Sequence, residues 1–366
     1  MIFLYIHFSF LSRCRIMDSE MESAYYNEVL KLLNSQQGLS VWTICTLASF
    51  LLPISKPVIP NILMDKLLRI IPQCEINNMA LILFGLNRMK KPWIRQMYSQ
   101  VLQLQTALHQ NMNTQLHKVT TIDPLVQMIQ VLYLKSERRE LVLLDNIMDT
   151  LSTLTHTLSK RHFRNIVSLF SQLRYCSPQI MNDLTKFAID NHEDIDFQDF
   201  TNFIRVMSFI GFQPDSFEDF QNVCIKMLDK HIMETSLPKQ LRFTLDLCQM
   251  QIYPDHWLSS IFTLKYIEMI DNHIETNKES RNILQRMLMM LNRTTILECP
   301  HLDIPWFHED YCQKNMVAVK GNPSWIHNEV RSALQEAVGG ENFFQSFVYT
   351  PYFFLLGKYH NNFLLL

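Results

Sequence analysis

Ile210-Gly211-Phe212-Gln213-Pro214 separates two runs of apolar residues spaced for helix, and Met250-Gln251-Ile252-Tyr253-Pro254 does the same 40 residues later, counted from Pro214 to Pro254. Leu173-Arg174-Tyr175-Cys176-Ser177-Pro178 and Leu86-Asn87-Arg88-Met89-Lys90-Lys91-Pro92 read alike. Pro178 to Pro214 is 36 residues, Pro57 to Pro92 is 35, and Pro92 to Pro178 is 86, close to two periods. The intervening unit has Ser136-Glu137-Arg138-Arg139 where its Pro would stand. Two helices in a period of about 35–43 residues are the signature of a helical solenoid. Proline suits the junction because it cannot continue the first helix yet fits the first turn of the second.

The second helices carry apolar stripes at three- and four-residue spacing: Leu141, Leu144, Met148, Leu151 and Leu158; Phe217, Phe220, Cys224, Met227 and His231; Trp257, Ile261, Leu264 and Ile267. A hairpin buries such a stripe only by stacking on its neighbours, and about six hairpins fit between Val41 and Ile274. The composition agrees. The chain of 366 residues is 48% hydrophobic, enough for a large core, and has only 7 Gly. That scarcity excludes folds built on many tight turns or Gly-rich phosphate loops. The fold class is therefore all-α: an α-solenoid of helical hairpin repeats, with a small mixed C-terminal region.

The formal net charge of -2 implies no strong global attraction to nucleic acid, and leaves room for a local basic face. None of the 8 Cys forms a Cys-x-x-Cys pair, and most lie in apolar helical runs, which points to buried thiols in a reducing compartment. Met1 to Leu11 is apolar but has no preceding positive charge and no small-residue cleavage site, unlike a secretory signal. Ser9, Ser12, Arg13 and Arg15 precede the first acid, Asp18, a partial match to a mitochondrial presequence. No run reaches the ~18 apolar residues needed for a membrane span. Val41 to Leu52, with its Thr, Ser and Cys, reads as a buried helix.

Past Asn277 the pattern changes. Arg281 to Leu291 reads as one more helix, followed by a compact run from Leu297 to Cys312. Ser324 is placed to cap a helix from Trp325 to Val338, and Gly339-Gly340 to close it. Phe343 to Leu356 is rich in aromatic and β-branched residues and reads as one or two strands. The division is an N-terminal segment at 1–40, helical repeats at 41–276, a distinct region at 277–356 and a divergent tail at 357–366.

Glu298-Cys299-Pro300, Ile304-Pro305-Trp306-Phe307-His308-Glu309 and Tyr311-Cys312, with Asn292-Arg293 before them and Tyr349-Thr350-Pro351-Tyr352 after, resemble the signature of the FAST kinase domain-containing family. Residues from about Asp196 to Asp271 resemble that family's first conserved region, and those from about Ile283 to Phe354 its second. The resemblance implies mitochondrial proteins that bind RNA and control maturation, stability or translation of mitochondrial transcripts. It also implies a C-terminal RAP domain. The chain stops before one and leaves the pattern after Phe354, so a truncated form is the expectation.

Kinase chemistry is not expected despite the family's name. Val317-Ala318-Val319-Lys320 resembles the strand whose Lys pairs with ATP phosphates, but residues 290–316 contain no Gly, and neither His-Arg-Asp nor Asp-Phe-Gly occurs. Without those Asp residues there is no base and no Mg²⁺ ligand. Cys299, His301, His308 and Cys312 are of types that suit zinc, though without the paired Cys-x-x-Cys more usual at such sites; the alternative is a Pro-braced loop with Trp306 and Phe307 plugged into neighbouring helices. The acids Glu193, Asp194, Asp196 and Asp199 suit a helix N-terminus better than a nuclease site. No cofactor is expected.

The RNA-binding reading rests on basic clusters that recur with the repeat: Arg88, Lys90, Lys91 and Arg95; Lys135, Arg138 and Arg139; Lys160, Arg161, Arg164 and Arg174; Lys239 and Arg242. In register these would track a phosphate backbone. Counting 12 to 14 residues back from each Pro selects Asn78, Arg164 or Asn165, Asn202 and Arg242 as candidate readers of single-stranded bases. The rival expectation is a protein–protein scaffold on the same surface.

Overall fold

The computed structural model describes residues 20, 27–28, 31, 39–54, 58–89, 91–133, 141–173, 177–277, 279, 281–314, 325–340, 348–349 and 355–356. The N-terminal targeting reading, the turn at 134–140, Arg174, Ser324 and the tail lie outside them. The chain divides into two compact units, one of Met1–Val206 with Pro214–Phe220 and one of Met207–Gln213 with Gln221–Leu366.

The first unit holds α1 (Val41–Ile54), α2 (Val58–Ile70), α3 (Ile76–Asn87), α4 (Lys91–Gln96), α5 (Tyr98–Gln115), α6 (Ile122–Tyr133), α7 (Leu141–Thr153), α8 (Lys160–Leu173), α9 (Pro178–Asp190) and most of α10 (Phe197–Ile210). The helices pack in two layers. In one, α1 lies on α3, α3 on α6 and α6 on α8; in the other, α2 lies on α5, α5 on α7 and α7 on α9. This is the stacking of hairpin repeats expected from the sequence. The Val41–Leu52 stretch is a buried helix, with Cys45, Ala48 and Leu52 fully enclosed. α1 and α3 approach so closely that a Cβ on Gly85 would sit 2.5 Å from the Ala48 carbonyl oxygen. The far side of the unit closes on aromatic rings: Phe163 meets Phe203 at 5.2 Å and Phe187 at 5.7 Å, and Phe203 meets Phe220 at 6.0 Å. Truncating such a ring to Ala costs ~3–5 kcal/mol.

The second unit holds most of α11 (Phe217–His231), then α12 (Leu237–Gln249), α13 (Asp255–Ile261), α14 (Leu264–Thr276), α15 (Arg281–Glu298), α16 (Glu309–Lys314) and α17 (Trp325–Val338). α12 packs on α15, and α14 on both α13 and α15. β1 (Val348–Tyr349) and β2 (Leu355–Leu356) form a short antiparallel pair, Val348 opposite Leu356 and Tyr349 opposite Leu355, within the segment read as strands. α17 is closed by Gly339 at φ 83°, whose N–H donates to the Gln335 carbonyl.

Three sequence expectations need correction. Pro178 opens α9 and Pro254 immediately precedes α13, but Pro214 lies in a turn three residues before α11. The stripe Trp257, Ile261, Leu264, Ile267 is not one helix. Thr263 interrupts it as the N-cap of α14, its side chain accepting from the Tyr266 N–H, so Leu264 is exposed and Tyr266, Ile270 and Ile274 are buried instead. Leu158 lies beyond the end of α7 and is half-buried.

Candidate nucleic-acid interface

The basic residues of α8 sit at its first turns, where nothing in the helix covers them. Each has an acid within reach on another segment. Lys160 Nζ lies 3.0 Å from Asp194 Oδ1, Arg161 Nη2 lies 3.4 Å from Asp123 Oδ1 on α6, and Arg164 Nε donates to Asp199 Oδ2 on α10 at 2.6 Å. The hydrogen bond to Asp199 pushes the Arg164 guanidinium above its ordinary value. All three cations are exposed, so solvent screens these pairs and they add little to stability. A phosphate can displace such a carboxylate, but the acid stays nearby and lowers the local positive potential. The acidic run does what a helix N-terminus asks of it: Asp196 Oδ1 accepts from the Gln198 N–H at 2.8 Å as α10 begins.

The other candidates are dispersed. Arg88 is exposed at the end of α3 with its guanidinium 5.0 Å above the Phe84 ring centroid. Asn78 on α3, Asn165 on α8 and Asn202 on α10 are half-buried, and Asn202 Oδ1 accepts from Gln198 Nε2 at 3.2 Å. Lys91 lies in α4 with its side chain outside the described set; Arg138 and Arg139 lie wholly outside it. Lys239 is exposed and Arg242 half-buried in the first turns of α12, in the second unit. Arg161, Arg164 and Asn165 thus share one helix, and Arg164 reaches the helix that carries Asn202.

The second helices carry polar pairs that local spacing does not reveal. Asn146 Nδ2 donates to Asn113 Oδ1 at 2.8 Å, and Asn182 Nδ2 donates to Asp215 Oδ2 at 2.7 Å while Asn182 Oδ1 accepts from the Asp215 N–H at 3.1 Å. Both pairs are 33 residues apart, one repeat, which was the available signal.

The Cys299–Cys312 run is braced from α15. Asn292, buried, donates from Nδ2 to the Pro305 carbonyl at 3.0 Å and accepts at Oδ1 from the Phe307 N–H at 3.2 Å. Phe307 then stacks edgewise on Phe262 and Tyr311, with centroids 6.0 and 5.2 Å away. Asp303 takes a left-handed backbone at φ 48° to turn the loop. Burial pushes the Tyr311 hydroxyl up to about 12. Phe307 is the plug that the sequence suggested; Trp306 is not, being 38% exposed. The zinc candidates do not converge. His301 Nε2 pairs with Asp255 Oδ2 at 2.8 Å, exposed His308 lies beside Asp310, and Cys312 donates weakly to the Phe307 carbonyl. Burial pushes the thiols of both Cys299 and Cys312 up. No three metal-binding side chains gather anywhere among the described residues.

Residues 285–357 match the family described as FAST kinase-like protein, subdomain 2. The braced loop and most of α15 fall within this match, on the segment that the sequence assigned to the second conserved region. The chain is 25% identical over 307 residues to human FAST kinase domain-containing protein 1, mitochondrial, covering 81% of this chain and 35% of the relative. Against the protein of the same name from Xenopus laevis it is 24% identical over 298 residues, 79% of this chain and 35% of that one. The mouse protein gives 23% over 319 residues, 86% and 38%. The chain therefore spans little more than a third of the length of these relatives, each of which carries mitochondrial in its name, the localisation that the sequence suggests. Among the described residues no helix is long and apolar enough to cross a membrane.

Proposed function

We propose that this chain is a FAST kinase-like, mitochondrial helical-repeat protein that binds single-stranded RNA and regulates the processing, stability or translation of mitochondrial transcripts. The observation that carries this reading is the similarity over about four-fifths of the chain to mitochondrial FAST kinase domain-containing protein 1. Two features support it. Stacked hairpins offer repeated, equivalent surfaces, which suit a polymer ligand. Arg161 and Arg164 stand exposed on α8, with the amides of Asn165 and Asn202 nearby in the same unit. Binding rather than bond-making is the mechanism: the sequence has neither His-Arg-Asp nor Asp-Phe-Gly, and phosphoryl transfer has no base or metal ligand without them.

One observation favours a second reading, a protein–protein scaffold. Lys160, Arg161 and Arg164 each have an aspartate within ion-pair distance, and a mixed-sign face suits a protein partner better than a phosphate backbone. Ultraviolet crosslinking in mitochondria followed by RNA sequencing separates the two. RNA binding predicts crosslinked mitochondrial transcripts. Recovery of a protein partner with no crosslinked RNA supports the scaffold.

A further inference from the structure

Cys45 and Cys74 meet inside the first unit. Cys45 lies in α1, and Cys74 follows the short 3₁₀ turn Ile71–Gln73 just before α3, on extended backbone at φ -76°, ψ 132°. Their sulfurs are 3.7 Å apart, both residues are free thiols, and they are only 0% and 1% exposed. Sulfur is poorly served as a hydrogen-bond partner, so the contact contributes little as such. The two sulfurs already touch, and a bond would draw them from 3.7 Å to ~2.05 Å.

The surroundings hold the pair in place. Cys45, Ala48 and Leu52 are all fully buried at helical spacing along one side of α1. One turn from Cys45, the Ala48 carbonyl and Ser49 Cα lie against Gly85 of α3, close enough to leave no room for a Cβ. The two helices cannot slide apart locally without losing this contact. Cys74 is at the edge of α3, where a change of χ1 meets less resistance than in mid-helix.

We propose that Cys45 and Cys74 form a reversible disulfide in response to hydroperoxide, locking α1 to the start of α3. The proposal is independent of the RNA-binding reading. With hydrogen peroxide as oxidant, the Cys74 sulfur attacks one peroxide oxygen. An S–O bond forms, the O–O bond breaks, and hydroxide leaves as water with the thiol proton. The Cys45 sulfur then attacks the sulfenic sulfur. The S–S bond forms, the S–O bond breaks, and the second water leaves with the Cys45 proton. The two thiols lose two electrons in all, and the peroxide gains them. A dithiol reductant reverses the reaction by exchange. Burial makes the first step wait on local opening of the α1–α3 contact, and closure then delivers Cys45 to the oxidised sulfur.

The test uses the full chain treated with hydrogen peroxide, blocked with N-ethylmaleimide and digested without reductant. The expected result is a Cys45–Cys74 linked peptide pair, two hydrogens lighter than its parts and abolished by dithiothreitol. A rise in the thermal midpoint of roughly 5 °C should accompany it and be absent from the Cys45→Ser variant. Cys224, deeply buried, serves as an internal control for non-specific oxidation. Recovery of Cys45 and Cys74 as separate maleimide adducts, as sulfinic acids, or linked to other cysteines overturns the proposal. The wild-type peptide map decides this whether or not the Ser variant folds.

Discussion

Arg164 on α8 donates to Asp199 on α10 at 2.6 Å, across 35 residues and hence about one repeat. The pair places a cation on the surface proposed for RNA and at the same time supplies its competitor. Removing the competitor distinguishes the two readings of the chain.

Asp199→Asn should strengthen binding to a single-stranded RNA oligonucleotide by roughly threefold at low salt, because Arg164 becomes available to phosphate and a nearby negative charge is lost. Fluorescence anisotropy measures it. The effect on stability should be small, because solvent screens the exposed Arg164 cation. No change in RNA affinity, with the fold intact, would leave Arg164 outside the interface.

Gly211 and Gln251 hold equivalent places in successive repeats. Both have left-handed backbones, at φ 71° and 63°, and each is followed by an N–H that donates back to the helix: Phe212 to Met207 and Ile252 to Leu247, both at 3.0 Å. Glycine tolerates this conformation and glutamine is strained in it. Gly211→Ala should therefore destabilise by ~1 kcal/mol and Gln251→Gly should be neutral or stabilising by up to ~1 kcal/mol, read from urea midpoints.

Gly85→Ala places a methyl 2.5 Å from the Ala48 carbonyl oxygen, and the obstacle is backbone rather than a flexible side chain. Helix α1 must move. The expected loss is ~1–3 kcal/mol, with the largest change in hydrogen exchange at α1 and α3.

Asn292→Ala removes both hydrogen bonds that hold Pro305 and Phe307 against α15. The expected cost is ~2 kcal/mol, since the loop's carbonyl and N–H lose their partner. Faster hydrogen exchange at the Phe307 amide checks it. Stability unchanged within error would mean that Asn292 does not brace the signature loop.

These positions show how far the sequence could be read. The proline-marked turns exposed the repeat because chain reversal after Ile210 and Met250 demands particular backbone, and the hairpin stacking followed from apolar stripes that need neighbours. The same reasoning ran through Thr263, because apolar spacing continues across it and only its capping bond to Tyr266 breaks the helix. At the candidate interface, Arg161 and Arg164 were legible as a basic cluster from local spacing. Their partners Asp123 and Asp199 were not, since they arrive from other helices, 38 and 35 residues away. Trp306 and Phe307 are adjacent and similar in character, yet Asn292 orients only Phe307 toward the rings of Phe262 and Tyr311. No local pattern separates them.

The most direct test of the RNA-binding account is the salt dependence of affinity for a single-stranded RNA, measured for the wild type and for a variant carrying Arg161→Glu and Arg164→Glu. The account predicts a steep fall of affinity with salt in the wild type, and a slope smaller by roughly 1.4 in the variant if two phosphate contacts are lost. Circular dichroism of the variant should remain helical. A wild-type affinity indifferent to salt, or an unchanged slope in a folded variant, would contradict it.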